Sequence, residues 1–216
     1  MRVIVAFNPA SGRGRAARMS GDIAAALLRS GADVERIETS PGDPSKWLLP
    51  SMPGADRIVV VGGDGTMRCV ASALVGGDVP LYHAPSGTEN LFAKSMHMTA
   101  SPDDVVSAMF TGEVSRIDTA TANGAFLLLM ASMGYDAAVV ADLARHRSGS
   151  ITHWSYAFPM LRQLFGFKSP RLTIDVDEER IVDQRRGWVV VANSSAYAKG
   201  LNPARHASVT EELLDV

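Results

Sequence analysis

The chain lacks several features that would direct it to other classes of protein. A single cysteine, Cys69, excludes an internal disulfide and predicts a reducing compartment. The longest apolar stretch, residues 125–133, is far too short to span a bilayer, and the apolar start at residues 3–7 is too short for a secretion signal. A net charge of -2 gives no general attraction to nucleic acid. We therefore expect a cytoplasmic protein without a nucleic-acid partner, and contact with the inner membrane face stays open.

What is present suffices for a sizeable core, in one domain or two, because 46% of the 216 residues are hydrophobic and 20% are charged. Strand patterns alternate with helix patterns up to about residue 112. This order is typical of an α/β fold with a doubly wound, mostly parallel sheet and helices on both faces. We assign residues 1–113 to this domain.

The pattern changes at about residue 114, where antiparallel strands begin. Residues 114–122 and 125–133 predict two strands joined by the hairpin turn Asn123-Gly124. Residues 172–176 and 180–182 predict a second hairpin around Asp177, Glu178 and Glu179, and residues 187–193 predict a further strand. Helical patterns cover residues 137–145 and 152–165. We assign residues 114–216 to a second domain.

The most informative stretch is a buried strand that ends in a glycine turn. Four β-branched residues, Ile58 to Val61, precede Gly62-Gly63-Asp64-Gly65-Thr66. The glycines allow the backbone to turn or a ligand to approach, and we expect Thr66 to cap the helix predicted at residues 67–74. A strand, a glycine turn and a helix N-terminus together predict a phosphate site. The alternative is an ordinary tight turn in which Asp64 bonds to its own backbone.

Two further loops follow strand ends. Residues 8–15 contain small residues and two arginines, which suit polyphosphate but equally suit a solvated basic turn, and residues 85–90 follow the fourth strand. Thr39 ends the second strand. Because ligands of open α/β sheets bind at the carboxyl ends of the strands, these loops are expected to meet at one site.

Five segments, spread over nearly the whole chain, carry a family resemblance. They are Asn8-Pro9-Ala10-Ser11-Gly12, Gly62-Gly63-Asp64-Gly65-Thr66, Pro85-Ser86-Gly87-Thr88-Glu89-Asn90-Leu91-Phe92-Ala93-Lys94, Gly134-Tyr135-Asp136-Ala137 and Val190-Val191-Ala192-Asn193. With them the chain resembles the bacterial diacylglycerol kinase and sphingosine kinase family of lipid kinases. The resemblance implies a nucleotide-binding domain, a C-terminal β-sandwich, and ATP with Mg²⁺ in the cleft between them.

The resemblance also implies roles for individual residues. Asp64 would act catalytically on the phosphate and metal side, and Glu89 and Asn90 would line the cleft. The residues expected to contact ATP are Asn8, Ser11, Thr39, Gly62, Gly63, Asp64, Gly65, Thr66, Met67, Arg68, Gly87, Thr88, Glu89 and Asn90.

The chain departs from the family pattern at three places. Arg68 and Cys69 stand where Asn and Glu are common, and Leu91 stands where Asp is frequent. Near the end, Glu211-Glu212-Leu213-Leu214-Asp215 replaces Asp-Gly-Leu-Leu-Asp, so the implied structural metal site would consist of Glu211, Leu213 and Asp215, with one ligand altered and a glycine turn lost.

The family's general base is expected beyond Val216. We therefore expect an incomplete sandwich and weak kinase activity or none. The apolar face left uncovered predicts a homodimer or aggregation.

Three functions follow from these patterns. The first is an ATP-dependent lipid kinase with a diacylglycerol-like acceptor, and the second is a non-catalytic nucleotide-binding protein. The third is an NAD kinase-like enzyme, which the segment Gly87 to Asn90 disfavours. The apolar segment Tyr156 to Phe167 is expected to pack on the sandwich, with a lipid-binding or membrane-contacting wall as the alternative.

Overall fold

The N-terminal half is built on a parallel sheet. The computed structural model describes residues 1–145, 169–197 and 203–216. Its four-stranded sheet has the order β2-β1-β3-β4, and all neighbouring strands run parallel. The strands are β1 (Arg2–Phe7), β2 (Asp33–Glu38), β3 (Arg57–Gly62) and β4 (Leu81–Pro85). The predicted parallel α/β domain is confirmed.

Helices cover both faces of this sheet. Val3 and Val5 face α1 (Arg15–Arg29) and α5 (Pro102–Thr111), whereas Ile4 and Ala6 share a core with α2 (Ser45–Leu48), α3 (Asp64–Ser72) and α4 (Leu91–Ser95). Alternate residues of β1 thus enter two separate cores, which is why the interiors of the central strands β1 and β3 are apolar. The two cores pack against the sheet from opposite faces beneath its loops.

Two helix starts differ in how they are capped. Ser101 caps α5, accepting a hydrogen bond from the Asp104 amide at 3.5 Å. The prediction that Thr66 caps the next helix is wrong. The helix α3 already begins at Asp64, with Gly63 as its N-cap, so Thr66 lies in the first turn with its side chain buried.

The second region begins with the predicted hairpin. β5 (Ala120–Ala122) and β6 (Ala125–Leu127) pair antiparallel around Asn123 and Gly124, whose φ angles of 51° and 77° are the positive values that a tight two-residue turn requires. The strand predicted from residue 114 is shorter than expected. The strand predicted at residues 125–133 is divided, because Leu128 and Leu129 are consecutive and both buried in the core under β3. A continuous pleated strand would place them on opposite faces.

The remaining described elements are antiparallel strands and one helix. β7 (Met130–Met133) pairs with β10 (Val189–Ala192), and α6 (Tyr135–Arg145) follows β7. The hairpin of β8 (Arg171–Val176) and β9 (Glu179–Arg186) turns on two residues, Asp177 and Glu178, one fewer than predicted. The chain end joins this region, since Asp215 forms a bridge with Ala192.

Three predictions are not tested by these elements. The helix predicted at residues 152–165 and the role predicted for the apolar segment at residues 156–167 lie outside the described residues. The domain boundary after residue 113 stays a prediction. Among the described residues, no helix is both long and apolar enough to traverse a bilayer.

The core on the α1 face predicts unequal effects of two neighbouring leucines. Leu27 is fully buried against the sheet, whereas Leu28 is 56% exposed. We expect Leu27→Ala to lower the free energy of unfolding by about 2–5 kcal/mol. Leu28→Ala should change it by no more than about 0.5 kcal/mol. Urea denaturation followed by circular dichroism measures both, and equal losses would contradict the packing described.

Candidate functional site

Three loops meet at the carboxyl edge of the sheet. The Asn8 amide donates to the Val61 carbonyl at 3.1 Å, and the Ser86 amide donates to the Gly62 carbonyl at 2.8 Å. The Ser86 hydroxyl also donates to Ser11 Oγ at 2.9 Å. We call the three segments, residues 8–14, 62–66 and 86–90, the loop edge. The predicted convergence of these loops is therefore observed.

Glycines allow the loops to touch through their backbones. A Cβ atom on Gly87 would lie 2.7 Å from the Cα of Gly63, and one on Gly62 would lie 2.5 Å from the Cβ of Thr66. A Cβ on Gly12 would overlap the carbonyl oxygen of Ser86. Real Cβ atoms do not approach other atoms so closely, so packing alone requires glycine at these positions.

Asp64 is held at the N-terminus of α3. Its Oδ1 accepts a hydrogen bond of 3.0 Å from the backbone amide of Phe92, in the first turn of α4. This is the only hydrogen bond of the Asp64 carboxylate among the described residues. The bond joins the second loop to the helix that follows the third loop and is not a bond of Asp64 to its own neighbours, which argues against the tight-turn alternative.

Two asparagines shape the loops from within. Asn90 has a φ of 51°, and its side chain both accepts from the Gly87 amide and donates to the Gly87 carbonyl, each at 2.9 Å. Asn8 accepts from the Ala10 amide at 3.0 Å and donates from Nδ2 to Thr66 Oγ1 at 3.2 Å. The sequence predicts both as ligand contacts, and their observed bonds are structural.

Other predicted contacts are placed less favourably. Met67 is 1% exposed, and its amide donates to the Gly63 carbonyl at 3.0 Å, so neither group faces a ligand. Arg68 donates from Nη1 to the Phe126 carbonyl at 3.2 Å, which ties α3 to β6. Thr39 directly follows β2 at the same edge of the sheet, and its backbone amide donates a hydrogen bond of 2.9 Å to the Phe7 carbonyl. Of these three residues, only Thr39 keeps a side chain that we still predict to contact a ligand.

Positive charge lies beside the first loop. Arg13 and Arg15 are exposed, and the Nε of Arg15 donates to the Gly12 carbonyl at 3.0 Å. Arg13 has a φ of 58°, a value uncommon for a residue with a side chain. In the third loop, Glu89 pairs with Lys94 at 3.7 Å. The arginines give the loop edge cationic groups of the kind that attract phosphate.

The predicted structural metal ligands lie near the chain end. Glu211 Oε1 accepts from the Ser208 amide at 2.7 Å, and the Leu213 side chain is exposed. Asp215 has a buried Oδ2 without a hydrogen-bond partner, which a cation would satisfy. However, no group of three His, Cys, Asp or Glu side chains suited to a metal occurs within residues 1–145, 169–197 and 203–216. The site therefore stays a prediction, supported here by Asp215 alone.

Two residues that shape the site were not predicted from the sequence. Ser86 bonds to both other loops, although it lies within the recognised motif. His83, on β4, is fully buried, and its Nε2 lies 3.0 Å from the Gly62 carbonyl. Burial lowers the pKa of His83, and the Gly62 carbonyl and the Asp64 charge offset part of this effect. The signal in the sequence is a polar residue inside an otherwise buried strand.

A cavity of about 920 Å³ lies away from the loop edge. It runs beside β4, at the end of the sheet, and continues along residues 112–119. Its apolar wall includes Met96, Met98, Ile117 and Phe126. None of the three loop-edge segments lines it, so the candidate site is defined by its loops and not by this cavity.

Comparison with family sequence models places two descriptions on the chain. Residues 2–122 match "Diacylglycerol kinase catalytic domain". Residues 130–216 match "YegS C-terminal NAD kinase beta sandwich-like domain". The first match includes all three segments of the loop edge.

Known proteins align over almost the whole chain. An uncharacterised protein of Synechocystis is 26% identical, with 97% of this chain and 51% of that protein covered. A protein named diacylglycerol kinase from Mycobacterium tuberculosis is 28% identical, with 100% of this chain and 72% of that protein covered. A crystal structure of a diacylglycerol kinase from Bacillus anthracis superimposes with a TM-score of 0.73 at 22% identity, covering 99% of this chain and 71% of that one. The fold is thus shared, and the chain spans about half of the Synechocystis relative.

The contact between the glycine loops predicts the effect of a single methyl group. Gly87→Ala should lower the free energy of unfolding by about 1–3 kcal/mol, because its Cβ meets the Gly63 backbone. Gly21→Ala is the matched control. Gly21 lies inside α1 with no atom within 4 Å of an added Cβ, so this change should raise stability by about 0.4–1 kcal/mol. Thermal unfolding measures both, and a neutral Gly87→Ala would contradict the close contact.

Proposed function

The chain belongs to the diacylglycerol kinase catalytic domain family, and on that premise we propose that it transfers the γ-phosphate of ATP to the hydroxyl of a diacylglycerol-like lipid. The observation that carries this proposal is the meeting of three strand-end loops around the Asp64 carboxylate. Phosphoryl transfer depends mainly on positioning of the phosphates and on stabilisation of charge. A site built from preformed loops suits that chemistry.

The loop edge fits a nucleotide in shape and charge. Glycines at positions 12, 62, 63 and 87 keep side chains away from the backbone, so phosphate oxygens can approach it closely. Arg13 and Arg15 add positive charge at the rim. Asp64 lies at the start of the nine-residue helix α3, the end that favours negative charge.

The loop edge also fits a magnesium ion in its donor chemistry. Mg²⁺ prefers carboxylate oxygens together with waters and substrate phosphates, and Asp64 is the carboxylate that would hold it. When bound, the ion supplies charge neutralisation to the transferred phosphate. The chain itself holds Asp64 in place through the Phe92 amide and brings the loops into contact through their glycines.

The lipid acceptor is supported by the relatives and by the third loop. The Mycobacterium relative is named diacylglycerol kinase, and a human relative, 30% identical over 57% of this chain and 32% of that protein, is named acylglycerol kinase. In the third loop, the Asn90 side chain closes on Gly87 and thereby fixes the segment whose resemblance to lipid kinases disfavours an NAD kinase.

The proposal is tested by transfer of radiolabel from ATP. Purified chain is incubated with labelled MgATP and mixed micelles containing dioleoylglycerol, with NAD as a competing acceptor. We expect label in the lipid at a low rate, since the expected general base lies beyond Val216, and Asp64→Asn should reduce that rate by roughly a hundredfold to a thousandfold. Asp22→Asn is the matched control, since Asp22 is an exposed acid on α1.

The other possible results of these measurements would each indicate a different function. Transfer to NAD but to no lipid would replace the proposal with an NAD kinase. Binding of MgATP by calorimetry without transfer to any acceptor would indicate a nucleotide-binding protein. No heat of binding at millimolar nucleotide would contradict the whole assignment.

A further inference from the structure

His83 is a buried titratable residue that the proposed reaction does not use. Its side chain is fully buried on β4, and its Nε2 lies 3.0 Å from the carbonyl oxygen of Gly62. A carbonyl oxygen can only accept, so Nε2 carries the proton. The same oxygen accepts the Ser86 amide at 2.8 Å. Gly62 is therefore fixed by two donors just before the chain turns to Asp64.

The imidazole also lies near the residue that anchors Asp64. Its ring centroid lies 6.1 Å from that of Phe92, whose backbone amide donates to Asp64 Oδ1. The backbone amide of His83 lies 3.2 Å from the sulfur of Met98. One ring thus contacts the Gly62 carbonyl and lies beside the residue that anchors the carboxylate.

We propose that His83 is a positioning residue, whose neutral ring holds the Gly62 carbonyl and the Phe92 side chain so that Asp64 faces the nucleotide. This inference rests on the proposed function, since it assigns the ring a role in nucleotide binding. His83 would thus support the loops from β4, a strand for which no ligand contact is predicted.

The ring has a further property that makes the role measurable. Its Nδ1 is buried without a hydrogen-bond partner, so a proton added there would find no acceptor. The ring lies against the Gly62 carbonyl and beside Phe92, and Asp64 is the charged group that acts on it. Protonation therefore places an uncompensated charge beneath the loop edge.

The sign of the pH effect follows from the lowered pKa of His83. Above about pH 6.5, the ordinary value, the residue is neutral in both the folded and the unfolded chain and adds no pH dependence. Below that pH the unfolded chain binds a proton that the folded chain resists, so stability is lost as the pH falls towards the folded value. One such proton raises the unfolding equilibrium constant by at most about tenfold per pH unit.

Two variants separate the hydrogen bond from the titration. His83→Gln keeps an amide that can donate to Gly62 and cannot titrate, whereas His83→Met removes both. His206→Gln is the control, since His206 is exposed. MgATP affinity is measured by calorimetry at neutral pH, and thermal unfolding is followed from neutral to mildly acidic pH.

We expect His83→Met to weaken MgATP binding by about tenfold, the effect of one lost hydrogen bond, and His83→Gln to weaken it by less than about threefold. Both variants should lose stability on acidification less steeply than wild type, and His206→Gln should retain the wild-type slope. Wild-type affinity in His83→Met, or a wild-type acid slope in His83→Gln, would overturn the proposal.

Failure of the proposed function gives a different result. A wild-type chain without any MgATP heat would contradict nucleotide binding itself, whatever His83 does. The unfolding series would then still test the ring: identical acid slopes in wild type and His83→Gln overturn its positioning role.

Discussion

The contact between two glycine backbones determines where everything else at the loop edge lies. Gly63 and Gly87 approach so closely that neither a side chain nor a longer loop would fit between them. Their approach follows from the parallel pairing of β3 with β4, in which Gly62 is opposite Pro85. Since both strands end at the same level, the turns after them must share one space. Glycine is the residue that allows it.

The position of the Asp64 carboxylate depends on the packing of the core. The Phe92 amide anchors the carboxylate, and the Phe92 side chain is buried with Met67 and Val70 under the sheet. The position of the carboxylate therefore depends on packing several residues away from it. Arg68 extends the same dependence to the second region through the Phe126 carbonyl. The geometry of the site is therefore coupled to the packing of the core.

The sequence predicts most of the framework because that framework is local. The central strands β1 and β3 follow from runs of β-branched residues, and the turn at Asn123-Gly124 follows from a residue pair that readily adopts two positive φ angles. What the sequence does not reveal is tertiary. Thr66 resembles an N-cap because its hydroxyl can accept a backbone hydrogen bond, yet in the structure that hydroxyl accepts from the Asn8 side chain. Asn90 looks like a ligand contact, yet it closes its own loop. The division of residues 125–133 arises because Leu128 and Leu129 fill a core under the parallel sheet.

Hydrogen exchange of the whole chain with and without MgATP tests whether the three loops form the nucleotide site, because it reports on backbone amides along the entire chain. We expect slower exchange on nucleotide addition in peptides that contain residues 8–14, 62–66 and 86–92. Little change is expected beside the cavity along β4. Protection confined to the wall of that cavity, or no protection at the loop edge with MgATP in saturating excess, would contradict the claim that the three loops form the nucleotide site.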